Sequence, residues 1–248
     1  MKHGLFILFF VFTQCALFSQ IINIESKRFL KDTNGFVGTT SANFSINQNI
    51  SQVMNFGVNQ HIQYKYNRSR LLSISDLVFI KAGKTDFVNA GYQHIRYNYK
   101  INALITWEVF LQAQYNRILL LDRRYLAGTG PRFRVLKKEN VKIYTACLYM
   151  YEYQSQNNDS IEQYNNRLSA YVTLSIGFKK MEFTSTTFYQ PNLADLNNYR
   201  VANDSSFELG INKSLNFRAG FNLLYDTRQP IGIPALTYIF KNGLTYKF

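Results

Sequence analysis

Four prolines and one tryptophan stand against 18 tyrosines and 21 phenylalanines. Proline interrupts strand ladders, so its scarcity leaves room for many of them. After the first twenty residues no run of roughly 18 apolar residues occurs, which excludes transmembrane helices. It does not exclude a membrane barrel, since half of every barrel strand is polar. Cysteine is nearly absent: Cys15 falls in the opening stretch and Cys147 stands alone after it, so the mature chain has no intramolecular disulfide. No His/Cys/Asp/Glu cluster has metal-ligand spacing and no glycine-rich phosphate loop is present, so no metal or other cofactor is expected. Acid is short as well, with 15 Asp and Glu against 28 Lys and Arg and a formal charge of +13. That excess invites a nucleic-acid reading. Yet no Lys/Arg run exceeds two residues and no nucleic-acid motif is present. The basic residues are read as belonging to turns and a barrel lumen, with no nucleic-acid partner.

Lys2 and His3 precede an apolar core from Gly4 to Phe12, and Ser19 and Gln20 follow. A basic start, a short apolar stretch and a small residue at the cut make a secretory signal peptide. The core is too short to span a membrane, and Gln14 before Cys15 argues against a lipoprotein. Residues 1–19 are assigned to the leader, 20–34 to a short periplasmic segment without clear period, and 35–248 to one domain. Losing Lys2 with the leader leaves 13 − 1 = +12.

Within that domain the dominant signal is period two. Phe36, Gly38, Thr40, Ala42, Phe44 and Ile46 alternate with Val37, Thr39, Ser41, Asn43, Ser45 and Asn47. Ile105, Trp107, Val109, Leu111, Ala113 and Tyr115 alternate with Thr106, Glu108, Gln112 and Gln114, which favours a strand over the helix that 101–121 partly fits. Twelve such segments are expected: 36–47, 54–64, 71–81, 87–99, 105–115, 124–136, 141–153, 168–178, 181–189, 199–211, 215–225 and 236–248. The third is apolar on both faces and so leaves its orientation open. The sixth contains Gly128-Thr129-Gly130-Pro131, where glycine permits a bulge or a close strand approach. Connections at 66–70, 100–103, 137–140, 179–180 and 212–214 read as tight, whereas 154–166, 190–198 and 226–233 read as longer. Short turns on one side and longer loops on the other fit an all-β fold, a single antiparallel transmembrane β-barrel of about 12 strands with both termini in the periplasm.

The last segment alternates strictly, with Leu244, Tyr246 and Phe248 opposite Thr245 and Lys247. Tyr246 and Phe248 are the candidate closure and assembly signal, through which the barrel-assembly machinery would engage the C-terminal strand. Glu108, Asp122, Arg123, Arg124, Arg132, Arg134, Asp226 and Arg228 are the candidate lumen charge network. Charges inside a barrel must pair or meet water, so the network reads as a salt-bridged filling or, alternatively, as the lining of an anion-preferring pore. No catalytic residue is assigned. Lipid-hydrolysing barrels place a Ser two residues after the catalytic His, and Gln63 and Arg96 occupy those places after His61 and His94.

Three stretches carry a resemblance. Leu121-Asp122-Arg123-Arg124-Tyr125-Leu126-Ala127-Gly128-Thr129-Gly130-Pro131-Arg132, then Tyr225-Asp226-Thr227-Arg228-Gln229-Pro230, then the closing Gly243-Leu244-Thr245-Tyr246-Lys247-Phe248 resemble the domain of unknown function 481 (DUF481), a family of salt-induced outer-membrane proteins. The leader ending in Phe18-Ser19-Gln20 resembles those of Bacteroidetes-type bacteria. The resemblance implies a barrel in the outer membrane, in contact with its lipid and lipopolysaccharide, and brings no catalytic residues. The expected role is non-enzymatic: envelope integrity under osmotic stress, or porin-like passage of small solutes. Rival readings are an outer-membrane lipid-modifying enzyme and a secreted soluble β-barrel with a small apolar ligand inside. Alternation alone does not tell inside from outside, nor does it specify the oligomeric state.

Overall fold

The computed structural model describes residues 34–48, 52–83, 85–156, 161–212 and 214–246. The leader, nearly all of the 20–34 segment, Lys247 and Phe248 therefore lie outside the described residues. Twelve strands follow in order: β1 (Gly35–Gln48), β2 (Gln52–Tyr66), β3 (Ser69–Ala82), β4 (Thr85–Lys100), β5 (Ile105–Asn116), β6 (Leu121–Lys137), β7 (Val141–Gln156), β8 (Ile161–Phe178), β9 (Met181–Pro191), β10 (Tyr199–Gly210), β11 (Leu215–Asp226) and β12 (Leu236–Tyr246). They form one sheet in which each strand pairs antiparallel with its sequence neighbour. Among the described residues β12 and β1 share no ladder. The sheet curls into a barrel, since buried side chains from β5, β7, β8, β9, β10 and β11 meet in one cluster across its interior.

The alternation resolves into an apolar outer face and an inner one where buried charges and amides flank a smaller apolar cluster. On β5, Leu111 is 59% exposed while Glu108, three positions earlier, is 0% exposed. The inside-out arrangement of a soluble carrier is thereby the opposite of what the chain adopts. The 101–121 stretch holds β5 and a single 3-10 turn, Arg117–Leu119, in place of a long helix. The ambiguous third segment turns Leu72 and Ile74 inward, both 0% exposed, and sets Leu71 and Leu77 outward.

One expected loop is mostly strand. The segment 154–166 narrows to 157–160, because β7 runs on to Gln156 and β8 starts at Ile161. Its residues look loop-like by composition but are held by cross-strand pairs. Gln154 Nε2 donates to Gln163 Oε1 at 2.7 Å, and the Tyr153 hydroxyl donates to Glu162 at 3.0 Å. Tyr153 also lies 5.0 Å from Tyr164, ring to ring. The other two longer connections, expected at 190–198 and 226–233, fall at 192–198 and 227–235, since β9 runs on to Pro191, β11 to Asp226, and β12 starts at Leu236.

Two tight turns share one chemistry. Asn102 Oδ1 accepts from Leu104 N and Ile105 N, both at 2.8 Å, between β4 and β5. Asn212 Oδ1 accepts from Ser214 N and Leu215 N, also both at 2.8 Å, between β10 and β11. An asparagine oxygen bonded to amides two and three residues on fixes the turn by its own side chain.

In β6 the ladder to β7 skips Gly130 and Pro131, as a residue without an N–H demands. A Cβ on Gly130 would stand 2.5 Å from the Cys147 carbonyl oxygen and 2.7 Å from Leu148 Cα, so the glycine there serves close strand approach. The bulges of β6 lie elsewhere, between Leu121 and Arg123 and between Arg134 and Leu136.

The outer wall carries aromatics near both rims. Tyr125, Tyr153, Tyr164, Tyr189, Tyr199 and Tyr225 follow one another around the loop side, with ring centroids 5.0–6.0 Å apart between successive contacting pairs. Trp107, Phe207 and Phe217 stand on the turn side, the last two 6.3 Å apart. Polar side chains on the wall between these rims satisfy one another. Asn203 Nδ2 donates to Thr187 Oγ1 at 2.9 Å and to Ser185 Oγ at 3.1 Å, and the Ser205 hydroxyl donates to Ser185 Oγ at 2.8 Å.

Candidate functional site: the charged barrel interior

The inner face is filled in layers. Nearest the loop side, three guanidiniums converge on two carboxylates. Glu152 on β7 accepts from Arg167 Nε at 2.6 Å and from Arg200 Nη1 at 2.7 and 2.9 Å, and it stands 3.1 Å from Arg124 Nε. Arg200 Nε also donates to Asp226 Oδ2 at 2.6 Å. Gln154 Oε1 accepts from Arg124 Nη2 at 2.6 Å and from Arg200 Nη2 at 3.0 Å. Arg167 uses its remaining donors on the Gln190 carbonyl at 3.1 Å and on Asn198 Oδ1 at 2.9 Å. None of these three arginines nor Glu152 is more than 2% exposed. So deep a set of charges survives only because nearly every donor and lone pair is used. Guanidiniums are planar and donate in a fixed fork, so the cluster locks β6, β7, β8, β10 and β11 together.

An apolar layer lies next, with Phe110, Leu148, Met150, Tyr171, Phe188 and Leu224 in one buried cluster. Below it Glu108 accepts from Arg96 Nη1 at 2.8 Å and from the Tyr171 hydroxyl at 2.9 Å, with Arg132 Nε at 3.9 Å. The Arg132 guanidinium lies 3.8 Å from the centre of the Tyr144 ring, and Arg96 lies 5.1 Å from that of Phe110. Flat cations against ring faces are held electrostatically and by contact area.

The eight candidate charges separate. Arg124 and Asp226 belong to the first cluster, and Glu108 and Arg132 to the second. Arg134 lines a basic cavity at the turn side. Asp122 and Arg123 instead border a groove on the outer wall, beside Gln60, Ser75 and Gln93. The bulge after Leu121 displaces Asp122 from the ladder, while Arg123, paired with Ser155 next to inward Arg124, faces outward by the ordinary alternation of the strand. Arg228 gives its backbone N–H to Asp226 at 2.9 Å, while its guanidinium reaches Asp195 across the loops at 3.2 Å, exposed to solvent. Tyr246 is the last described residue of β12. His61 and His94 face inward: His94 Nδ1 is 2.9 Å from Gln112 Oε1, and Gln63 and Arg96 are buried.

The central members Glu152, Arg167 and Arg200, and Arg96 of the second cluster, were not among the candidates. Each of three carries a signal nonetheless: a charge between two apolar or aromatic neighbours, as in Tyr151-Glu152-Tyr153, Ile95-Arg96-Tyr97 and Tyr199-Arg200-Val201. In a strand with outward aromatics such a residue must point inward.

Among solved structures the chain is similar to the NanC porin in a rhombohedral crystal form, with a TM-score of 0.48, 8% identity, and 84% of this chain and 99% of that one covered. It is also similar to the KdgM porin, with a TM-score of 0.42, 11% identity, and 86% and 99% covered. No curated protein sequence matches it. The model of the family described as "Protein of unknown function, DUF481" matches residues 38–248, all twelve strands apart from the first three residues of β1, and the chain belongs to that family.

Proposed function

We propose that the protein is an outer-membrane β-barrel with a non-enzymatic role, in the passage of small solutes or in envelope integrity under osmotic stress. One observation carries this reading: an apolar outer band lies between two aromatic rims around an interior that buries its charges. Trp107 and Tyr115 on β5, and Phe217 and Tyr225 on β11, are each separated by eight positions on the outward face. Eight residues span about 26 Å along a strand, or about 20 Å in height at a barrel tilt, the order of an outer-membrane apolar band. Tyrosine suits such rims because its ring is apolar and its hydroxyl wet. The partners that follow are outer-membrane lipid and lipopolysaccharide along the wall, and the barrel-assembly machinery at the C-terminal strand.

The deciding experiment is fractionation of expressed protein, followed by gel mobility in detergent with and without boiling. Outer-membrane recovery with faster unboiled migration is expected, and planar-bilayer conductance then separates passage from a purely structural role. Recovery as soluble protein without a mobility shift would overturn the proposal.

A further inference from the structure

On the turn side the interior ends in a cavity of about 250 Å³. Eight basic side chains line it, and no carboxylate does among the described residues. Their placement opposes ladder stability. Lys137 stands directly across from Lys142 in the β6–β7 ladder. Like charges in such positions destabilise a sheet. The pair depends on the bulge between Arg134 and Leu136. Without that extra residue Lys137 would share the outward parity of Phe133 and Val135; with it, Lys137 joins Arg132 and Arg134 on the inner side. A strand irregularity that brings a cation to face another cation, inside a barrel, points to a ligand that compensates both.

The remaining wall is suited to oxyanions. Arg134 Nε is buried with no hydrogen-bond partner among the described residues. Thr106, Thr173 and Ser175 supply hydroxyls, and Arg132 is held flat against Tyr144. Guanidinium and ammonium groups recognise phosphoryl and carboxylate oxygens by charge-assisted hydrogen bonds. The volume leaves room for a compact anion and its waters. Because these side chains take inward positions, lipid headgroups around the outer wall do not reach them.

We propose that this cavity binds a small, soluble, multivalent oxyanion bearing phosphoryl or carboxylate groups. The proposal rests on the barrel interior, and it adds the charge class of the solute to the passage reading. The full chain, folded in detergent and checked for heat-modifiable mobility, is titrated calorimetrically with pyrophosphate and with citrate at constant ionic strength of about 0.15 M. Saturable binding of at least one anion is expected. Lys137→Gln with Lys142→Gln should weaken it about ten-fold, whereas Arg117→Gln with Arg123→Gln, which removes the same charge at the opposite end, should leave it unchanged. Lys65→Gln, on a different strand of the cavity, should weaken binding in the same direction and serves if the lysine pair fails to fold. Absence of saturable binding, or equal weakening by both charge-matched pairs, overturns the site. A heat-modifiable sample that does not bind refutes the site and leaves the membrane barrel standing; binding without heat-modifiable mobility does the reverse.

Discussion

Arg200 on β10 donates from one nitrogen to both carboxylate oxygens of Glu152 on β7, at 2.7 and 2.9 Å, and so ties strands that share no ladder. Glu152→Gln keeps the shape of that hub and removes its charge. Arg124, Arg167 and Arg200 would then be buried against Asp226 as the one remaining carboxylate of the cluster. Breaking a buried pair by removing one partner costs about 3–5 kcal/mol, and denaturant unfolding of the detergent-folded protein should show a loss of that order. A loss within about 1 kcal/mol, the level of an exposed pair, would mean that water reaches the cluster.

Ala219 lies mid-strand on β11, paired with Phe207 on one side and Asn242 on the other, on the outward face. Arginine there should cost about 2–4 kcal/mol in a bilayer. Arginine at Asn222, inward and across from Asp204, should be tolerated. Equal stability of both variants in lipid vesicles would reverse the assigned orientation.

Gly130→Ala forces a methyl group against the backbone of β7, which has no flexible end to move aside. A destabilisation of about 1–3 kcal/mol is expected, as for an overpacked core. Gly177→Ala, with nothing within 4 Å of its Cβ position, is the control and should be neutral. Matching unfolding midpoints for the two would remove close strand approach as the reason for glycine in β6.

Trp107 is the single tryptophan, outward on β5 and 43% exposed, with its indole N–H donating to Thr129 Oγ1 at 2.9 Å. In vesicles its emission should be blue-shifted and quenched more by lipids brominated near the headgroup than near the chain ends. Ready quenching by aqueous iodide, with none by brominated lipid, would place that rim in water.

All twelve strands could be read from the alternation, because outward positions are apolar in nearly every one and the period is two. Strand ends were harder. Gln154, Gln156, Gln163 and Asn165 look like loop residues, yet they are inward strand positions, where Gln154 bonds Gln163 and Asn165 accepts from Asn192. Polar composition marks a loop only where the strand has a dry inner face. For the charge clusters, local charge runs mark Arg124 and Asp226, and the same criterion draws in Asp122, which a bulge displaces, and Arg123, which alternation sets outward beside Arg124. Glu152 and Arg200 are isolated in sequence and meet only when the barrel curls. Their pairing is a property of strand stagger, which alternation does not encode.

The two asparagine turns bear on how the chain is made. Asn102 and Asn212 each define a reversal with their own side chain and a few following amides, without help from distant residues. The hairpins β4–β5 and β10–β11 therefore hold their registers as local information, available before any apolar surroundings are met. A nascent chain in water can rehearse those two reversals while the charge clusters, which draw on five strands, are still impossible. Transplanting either four-residue reversal onto another β-hairpin should carry the register with it.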